Sequence, residues 1–164
     1  MYYNSPVGIL EIHAENGFIN EINFLQNEVE QLSEINEDAL DKNGQILKKC
    51  AEQLDEYFLG KRIEFNLPLQ QHGTEFQLKV WNELLNIPFG ETINYLTLAK
   101  RIGNLKSIRA VGTANGRNNI SIVVPCHRVI GSDGSLTGYS GGLWRKQWLL
   151  EHENKYANGV NLLF

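Results

Sequence analysis

Apolar and polar positions alternate along the first 25 residues, which is the pattern of half-buried β-strands. Leu10 and Ile12 alternate with more polar neighbours, and apolar residues resume at Phe18. An Asn16-Gly17 pair separates the two stretches, and this pair favours the tight turn of a β-hairpin. The sequence therefore predicts a hairpin of strands at the start of the chain.

A helical pattern replaces the alternation later in this half of the chain. Residues 26–42 are acidic and weakly patterned, which predicts a loop with some helix. Apolar residues then recur at helical spacing from Ile46 to Phe58. Gly60 stands where this helix should end, because glycine readily adopts the left-handed conformation that commonly follows a helix.

The segment 63–69 predicts a further strand, closed by Pro68. Strands covered by one helix form a small α/β domain, which we assign to residues 1–72. Residues 73–164 contain more helical patterns, so we predict a second, mostly helical domain there. The fold class predicted for the whole chain is α+β.

Three helices are predicted at the start of the second domain. Thr74 and Gln77 have the spacing of a capping box, in which each side chain bonds the backbone amide of the other residue. The helix that follows should end before Gly90. Asn94 is suited to cap a second helix, and Gly103 to end it.

Ser107 is suited to cap the third helix, 108–115, which follows the second helix after a tight turn containing glycine. This pattern is typical of a helix-turn-helix. Glycine costs roughly 1 kcal/mol inside a helix, so the small residues of the third helix need a reason. Close contact with another helix and close approach to DNA both explain them, and Arg109 on the same helix favours DNA. The small residues are Ala110, Gly112, Thr113 and Ala114.

The last third of the chain is predicted to hold two short strands and a closing helix. The apolar run 120–124 predicts a buried strand, and 128–130 predicts another. A loop rich in glycine and serine extends to Gly142. Leucine and tryptophan residues then mark a helix that ends near residues 152–153.

The two predicted domains carry charge of opposite sign. The formal net charge is −4, but residues 1–72 have 5 basic and 13 acidic residues, whereas residues 73–164 have 10 and 6. No acidic residue occurs between Thr92 and Ser132. This asymmetry indicates a polyanionic partner bound in a salt-sensitive way, although an unevenly charged solvent-exposed surface explains it equally well. The basic residues of this stretch are Lys100, Arg101, Lys106, Arg109, Arg117 and Arg128.

Composition excludes several classes of protein. The chain is 42% hydrophobic and 21% charged, so it can bury a core and is not intrinsically disordered. No window of the sequence is apolar enough for a membrane span, and the first residues lack the pattern of a secretory signal. Two cysteines are too few for a disulfide framework or a four-thiolate metal site. We therefore expect a cytoplasmic, reduced protein.

Cys126 is the strongest candidate for chemistry. It follows an apolar run and a proline, and basic groups surround it, conditions that favour a reactive thiolate; Cys50 lies on an apolar helix face and needs only a packing role. Adjacent side chains of an extended chain point to opposite faces, so His127 pairs with Cys126 only if the backbone turns or a water relays the proton. Asp133 and Glu153 are both candidates to orient the imidazole, and the residues alone do not choose between them.

The segment IVVPCHRVIG, followed by GYSGGLWRKQWLLEHE, closely resembles the active-site signature of the O6-alkylguanine-DNA alkyltransferases (methylated-DNA–protein-cysteine methyltransferases). The upstream segments FGETINYLTLAKRIG and SIRAVGTANGRN resemble the helix-turn-helix of the same family. The resemblance extends from about Gly73 to Glu153, and the first third of the chain matches only in its order of strands and helix. It implies an RNase-H-like first domain and a winged-helix-like second domain.

The resemblance also implies a role for each residue of the reaction site. Cys126 would take the alkyl group from the guanine oxygen, with His127 as its general base acting through water. Glu153 would orient the imidazole, which decides between the two acceptors. Asn118 would brace the cysteine loop. Tyr95 would crowd a phosphate, help to rotate the nucleotide out of the duplex and give a proton to the leaving guanine.

Further residues would handle the DNA and the damaged base. Arg109 would fill the place in the stack that the rotated nucleotide leaves. The pocket for the base would comprise the Val129 carbonyl, the Tyr139 ring and the loop at Ser140. The face that approaches DNA would consist of the small residues Ala110, Gly112 and Thr113.

The implied function is DNA repair by a methyltransferase that inactivates itself. Such a protein moves the alkyl group of O6-alkylguanine in double-stranded DNA irreversibly to its own cysteine, with O4-alkylthymine as a further candidate substrate. No metal, organic cofactor or membrane is expected, and the protein is expected to be a monomer. Two other classes compete: a non-catalytic lesion-binding protein, which the intact PCHR segment argues against, and a cysteine hydrolase or redox enzyme, which would turn over.

Overall fold

Three antiparallel strands open the chain in this computed structural model, which describes residues 1–26, 41–105 and 107–158. They are β1 (Tyr2–Ser5), β2 (Gly8–Glu15) and β3 (Phe18–Phe24), hydrogen-bonded in that order. Asn16 and Gly17 both have positive φ, 52° and 80°, as a two-residue hairpin turn with right-handed twist requires. The predicted hairpin is confirmed.

One helix covers this sheet. It is α1 (Lys42–Phe58), and the carboxylate of Asp41 caps it by accepting a hydrogen bond from the Gly44 amide at 2.8 Å. The helix ends as predicted, because Gly60 has a φ of 73° and donates its amide to the Tyr57 carbonyl. The predicted loop over residues 26–42 lies largely outside the described residues.

The predicted strand over 63–69 is wrong. Only Leu69 pairs with the sheet, through an isolated parallel bridge to Ile19. The Pro68 carbonyl accepts the Ile19 amide at 2.9 Å. Because proline has no amide hydrogen to donate, this pairing does not continue along the chain.

The described chain divides into two compact units. The first contains residues 1–72 and 119–121, and the second contains the remainder of the described chain. The short return segment joins the first unit because Ile22 exchanges backbone hydrogen bonds with Asn119 and Ser121, at 2.8 and 2.9 Å. The first unit is built around buried apolar residues of the sheet and of α1, among them Leu10, Ile12, Ile19, Ile22, Leu54 and Tyr57.

Four helices form most of the second unit. They are α2 (Glu75–Leu84), α3 (Tyr95–Arg101), α4 (Ile108–Gly116) and α5 (Leu143–Asn158). The predicted capping box of α2 is present, since Thr74 and Gln77 exchange side-chain-to-amide hydrogen bonds of 3.0 and 3.1 Å. Buried residues of all four helices form the core, among them Val80, Trp81, Leu84, Leu98, Val111 and Leu149.

The predicted ends of α3 are confirmed, and two details of α4 and α5 are corrected. Asn94 caps α3 by accepting the Thr97 amide at 2.8 Å, and Gly103 follows the helix with a φ of 75°. Ser107 precedes α4, but its side chain makes no capping hydrogen bond. The closing helix α5 continues past residues 152–153 to Asn158, because an aromatic ladder at helical spacing continues there: the ring of His152 contacts those of Trp148 and Tyr156, with centroids 5.0 and 4.9 Å away.

The predicted strand over 120–124 is also wrong, because the chain turns within it. Ile122 is fully buried and has a φ of 72°, a left-handed conformation that is rare for a β-branched residue. A one-turn 3₁₀ helix then spans Cys126–Arg128. The strand predicted over 128–130 begins one residue later: β5 (Val129–Ile130) pairs in parallel with β4 (Ile93–Asn94).

Candidate active site

Cys126 lies in a tight backbone turn. Its amide bonds the Val124 carbonyl at 2.9 Å, and the Arg128 amide bonds the Pro125 carbonyl at 3.0 Å. Only 5% of Cys126 is exposed. Because the chain is helical here and not extended, Cys126 and His127 are not forced onto opposite faces as they would be in a strand.

The C-terminal end of α4 braces this turn. The Asn118 amide nitrogen donates to the Val124 carbonyl at 2.8 Å and hydrogen-bonds the Cys126 thiol. One helical turn earlier, the buried Asn115 donates to the Cys126 carbonyl at 3.4 Å. The sequence analysis named Asn118 but missed Asn115, although their three-residue spacing places both on one face of the helix end.

Glu153 is the carboxylate that meets the imidazole. Its Oε1 lies 2.7 Å from Nε2 of His127, and both side chains are almost fully buried. Asp133, the other candidate, is exposed and accepts the Ser135 amide at 3.0 Å. The structure therefore joins His127 to Glu153, on the second half of the closing helix α5.

Arg128 completes this group, which we call the Glu153 cluster (His127, Arg128 and Glu153). Its guanidinium donates to both carboxylate oxygens of Glu153 at 2.9 Å and to the Ile87 carbonyl at 2.6 Å. The residue is 6% exposed. This corrects the inclusion of Arg128 among the basic groups that face a polyanion, because its charge is compensated inside the protein.

Charge and tautomer within the cluster follow from these contacts. Burial alone would raise the pKa of Glu153, but the charges and hydrogen bonds of His127 and Arg128 outweigh it and hold the pKa well below its usual range. Burial lowers the pKa of His127, so its imidazole is neutral near pH 7. Since Glu153 is ionised, Nε2 of His127 carries the proton and donates it. Nδ1 then holds a free electron pair, and it has no hydrogen-bond partner among the described residues.

Two opposing effects act on the Cys126 thiol. Burial raises its pKa, while the Asn118 hydrogen bond and the positive charge of Lys146 act in the other direction. Lys146 was not among the predicted site residues. It lies fully buried on α5 and donates to the carbonyl of Val129 at 2.6 Å. The sequence does contain a signal for Lys146, because its helical spacing places it on the buried face of α5 together with Leu149 and Leu150.

The predicted base pocket is divided between buried and exposed residues of the loop 131–142. Tyr139 is buried, whereas Ser140 is exposed. The Val129 carbonyl, predicted to face the base, accepts a hydrogen bond from Lys146 and retains a second lone pair. Tyr95 is tied to this loop, since its hydroxyl donates to the Thr137 carbonyl at 3.2 Å.

An open groove of about 500 Å³ runs along the outer face of α4 and the start of α2. Arg109 and Thr113 are exposed there and Ala110 is half-buried. A Cβ added to Gly112 would lie 3.6 Å from the Tyr95 ring, an ordinary packing distance, so the glycine faces α3. We call this surface the α4 groove; its polar lining residues are Thr74, Gln77, Ser107, Arg109, Thr113 and Arg117.

Metal-binding and membrane features were sought within the described ranges only. There, no three side chains of His, Cys, Asp or Glu converge as metal ligands would. Across those same residues, no helix has the length and apolar character needed to span a bilayer. Cys50 is buried on α1, as its packing role predicts.

Comparison with known proteins gives matches over nearly the whole chain. Two family models match: 6-O-methylguanine DNA methyltransferase, ribonuclease-like domain, over residues 1–71, and 6-O-methylguanine DNA methyltransferase, DNA binding domain, over residues 75–155. A methylated-DNA–protein-cysteine methyltransferase of Methanosarcina acetivorans is 44% identical over 156 residues, which cover 93% of this chain and 98% of the relative. The ribonuclease-like match confirms the predicted character of the first domain.

Solved structures agree. The O6-methylguanine methyltransferase of Mycobacterium tuberculosis superposes with a TM-score of 0.80 at 41% identity, covering 97% of this chain and 94% of that one. A structure described as Mycobacterium tuberculosis OGT in complex with DNA gives a TM-score of 0.81 at 39% identity, covering 95% and 92%. Family models, relatives and structures coincide, and the chain belongs to the methylated-DNA–protein-cysteine methyltransferase family.

Proposed function

We propose that this chain repairs DNA by moving the alkyl group of O6-alkylguanine to the sulfur of Cys126, once per molecule. In this proposal residues 1–72 form an N-terminal domain, and residues 73–164 bind duplex DNA and carry out the transfer. The chain acts as a monomer, since all residues with assigned roles belong to one copy. Both cysteines are free thiols, which suits the reducing cytoplasm.

The proposed transfer is an in-line displacement at the alkyl carbon. A bond forms between this carbon and Sγ of Cys126 while the bond from the carbon to guanine O6 breaks, and the electron pair of the broken bond stays on the guanine. The thiol proton passes through water to Nδ1 of His127, and the guanine takes a proton from the Tyr95 hydroxyl. Solvent then returns the proton of His127 to Tyr95. The products are a thioether and unmodified guanine, and the atoms balance without a further reactant.

The observation that carries this proposal is the hydrogen-bond chain beside the cysteine. Glu153 fixes the proton of His127 on Nε2, which leaves Nδ1 free to act as a base. The 3₁₀ turn that contains Cys126 and His127 brings thiol and base into one helical turn. The interactions with His127 and with Arg128 lower the pKa of Glu153 and keep it ionised, so the imidazole retains this orientation over a wide pH range.

Burial of the thiol supports a base-flipping step. The O6 position of a paired guanine is inaccessible to the thiol of a residue that is only 5% exposed, so in the proposal the nucleotide leaves the stack at a cost of a few kcal/mol. In the proposal, α3 and α4 form the helix-turn-helix, and the half-buried Ala110 lets α4 come close to the duplex. The exposed Arg109 fills the vacated place in the stack, and Tyr139 and Ser140 enclose the base.

The stoichiometry of transfer tests the proposal. The protein is incubated with an excess of duplex oligonucleotide containing O6-methylguanine, and its peptides are analysed by mass spectrometry. We expect one methyl group per molecule, on the peptide containing Cys126, because a thioether has no good leaving group. Cys126→Ser should take up none while still binding DNA. Cys50→Ser is the matched control and should behave like the wild type.

Other outcomes identify the competing functions. Continued turnover beyond one equivalent would favour a hydrolase or a relay of the methyl group to another acceptor. Binding of the lesion without labelling of the wild-type protein would favour a non-catalytic lesion sensor. Labelling of Cys50 in place of Cys126 would contradict the assignment of the nucleophile.

A further inference from the structure

Lys146 is a buried cation that the proposed reaction leaves without a role. Its side chain is fully buried on α5, and its ammonium donates to the carbonyls of Val129 and Thr137 at 2.6 and 2.7 Å. The ion pairs within 4.0 Å among the described residues do not include this ammonium. Burial of an ammonium without a counter-ion is costly, so this lysine is not explained by stability alone.

The two carbonyls belong to the two segments that contain the residues of the predicted base pocket. Val129 directly follows the turn that carries the nucleophile, and Thr137 lies in the loop 131–142, two residues before Tyr139. The ammonium thus ties this loop to the strand after Cys126. Because an ammonium has three donors in a compact group, it can hold both carbonyls at once.

The charge of this ammonium acts on Cys126 and on His127. Burial lowers the pKa of Lys146 to about 8, and the Cys126 thiolate acts in the opposite direction. The same interaction lowers the pKa of Cys126 and adds to the effects that keep His127 neutral. Near pH 7 Lys146 is therefore a cation, and the acidic side chain next to His127, Glu153, is already compensated by Arg128.

We propose that Lys146 is a positioning residue for the transfer: it ties the loop 131–142 to the strand that follows Cys126, and its charge favours the thiolate form of the nucleophile. This inference rests on the proposed function, since it assigns Lys146 to the thiol of the same site. The effect of the charge differs from a packing role, because an uncharged side chain that kept the hydrogen bonds would still hold the loop but would not favour the thiolate.

Reactivity of the thiol toward iodoacetamide separates charge from hydrogen bonding. Lys146→Gln keeps a hydrogen-bond donor on the side chain but removes the charge, and Lys146→Arg keeps the charge. We expect Lys146→Gln to slow labelling of Cys126 at pH 7 about tenfold and to move the midpoint of the pH profile upward, as loss of a neighbouring opposite charge does. Lys146→Arg should stay close to the wild type.

Lys155→Gln is the matched control, because Lys155 is an exposed residue of the same helix; its labelling profile should not change. Thermal denaturation reports folding of each variant. Removing a buried charge is not expected to unfold the protein, and Lys146→Met provides a second uncharged variant should the glutamine variant fail to fold. The proposal is overturned if the uncharged variants label like the wild type, or if Lys146→Arg slows labelling as much as Lys146→Gln.

Failure of the two proposals can be told apart. The iodoacetamide reaction uses no DNA, so it reports on Lys146 even if the wild type takes no methyl group from an oligonucleotide. In that case the proposed function fails and the effect of Lys146 on the thiol stands. If the wild type takes one methyl group and the uncharged variants do so at an unchanged rate, only the role of Lys146 fails.

Discussion

The Glu153 cluster and the α4 groove are both rich in charge, yet their charged groups have opposite surroundings. In the cluster, the carboxylate is shared by a guanidinium and an imidazole that are almost completely buried. In the groove, Arg109 and Arg117 are exposed. A buried charge that is paired with an opposite charge of the same protein affects both folding and the chemistry of the site. An exposed charge can instead bind an external anion.

This contrast predicts that substitutions in the cluster affect stability and transfer together, while substitutions in the groove affect only reactions that involve DNA. The variants below test it from the largest expected effect to the smallest. Each compares two substrates or two properties, because a single loss of activity would not distinguish the regions.

Glu153→Gln should have the largest effect. The change leaves the Arg128 guanidinium buried without its counter-ion, which typically costs about 3–5 kcal/mol of stability. It also orients His127 poorly, so the pH profile of single-turnover transfer should move to higher pH. Urea denaturation and transfer rates measured against pH check both effects.

Glu151→Gln is the matched control for this prediction. Glu151 lies on the same helix, half-buried, and accepts a hydrogen bond from Gln147 at 3.0 Å. Its substitution should change stability by less than about 1 kcal/mol. An unchanged pH profile in Glu153→Gln would mean that the carboxylate does not act through His127.

Acid should weaken the native state through the same cluster. A carboxyl whose folded pKa lies below its unfolded value, about 4.3 for glutamate, contributes stability that is present above pH 4.3 and lost as the pH falls toward the folded pKa. His127 adds a loss that begins below about pH 6.5, because only the unfolded chain takes up a proton readily there. The free energy of unfolding of the wild type should therefore fall from pH 6.5 downward, and more steeply below pH 4.3.

Glu153→Gln should show less of this loss below pH 4.3 than the wild type does. Denaturant titrations at pH 7, 5 and 3 measure the difference. Parallel curves for the two proteins would show that Glu153 has an ordinary pKa in the folded state, contrary to its contacts.

Arg109→Ala should separate handling of DNA from chemistry. We expect transfer from a duplex to fall by tenfold or more, because in the proposed flipping step this variant leaves the vacated place in the stack empty. Transfer from free O6-methylguanine base should stay near the wild-type rate, and stability should change little. Rates on the two substrates, measured under the same salt conditions, test this.

Arg101→Ala removes the same charge from an exposed residue of α3, whose guanidinium lies 3.9 Å from Glu83. It should weaken duplex binding mildly and spare the transfer step. Equal losses on duplex and free base in Arg109→Ala would instead assign this arginine a structural role and abolish the contrast between the two regions.

The sequence predicted what depends on neighbours along the chain. The Asn16-Gly17 hairpin, the Thr74 capping box and the Asn94 cap each involve residues within a few positions, and all three are present. The run 120–124 reads as a strand by composition. It turns because Asn118 bonds the Val124 carbonyl and because the segment beginning at Asn119 pairs with the first sheet, and periodicity does not encode either partner.

In the candidate site, too, the sequence predicted what depends on neighbouring residues and missed what depends on distant partners. The signature around Cys126 predicted a nucleophile and a neighbouring imidazole by resemblance. Arg128 and Lys146 were read as surface charges or left without a role, because their partners lie 25 and 17 residues away. For Arg128 the sequence carries no mark that tells a buried ion pair from a solvated group. For Lys146 the helical spacing to Leu149 and Leu150 indicates burial but not the carbonyls that it binds, so tertiary contacts had to supply the partners of both residues.

Gly112→Ala should have the smallest effect. It tests the contrast between the Glu153 cluster and the α4 groove at a residue of α4 that faces α3. The added Cβ would lie 3.6 and 3.7 Å from the Tyr95 ring, an ordinary contact, and alanine is favoured over glycine inside a helix by about 0.5–1 kcal/mol. Stability should therefore rise by up to this amount. Because the methyl group would contact the ring of Tyr95, which by resemblance crowds a phosphate of the DNA, duplex transfer should fall by no more than a few fold, with the free base unaffected. Urea denaturation and the two transfer assays measure these changes.

A loss of stability in Gly112→Ala would show that the helices cannot accommodate a methyl group here, and glycine would then be explained by packing. A loss of duplex transfer as large as that of Arg109→Ala would place Gly112 among the determinants of DNA handling.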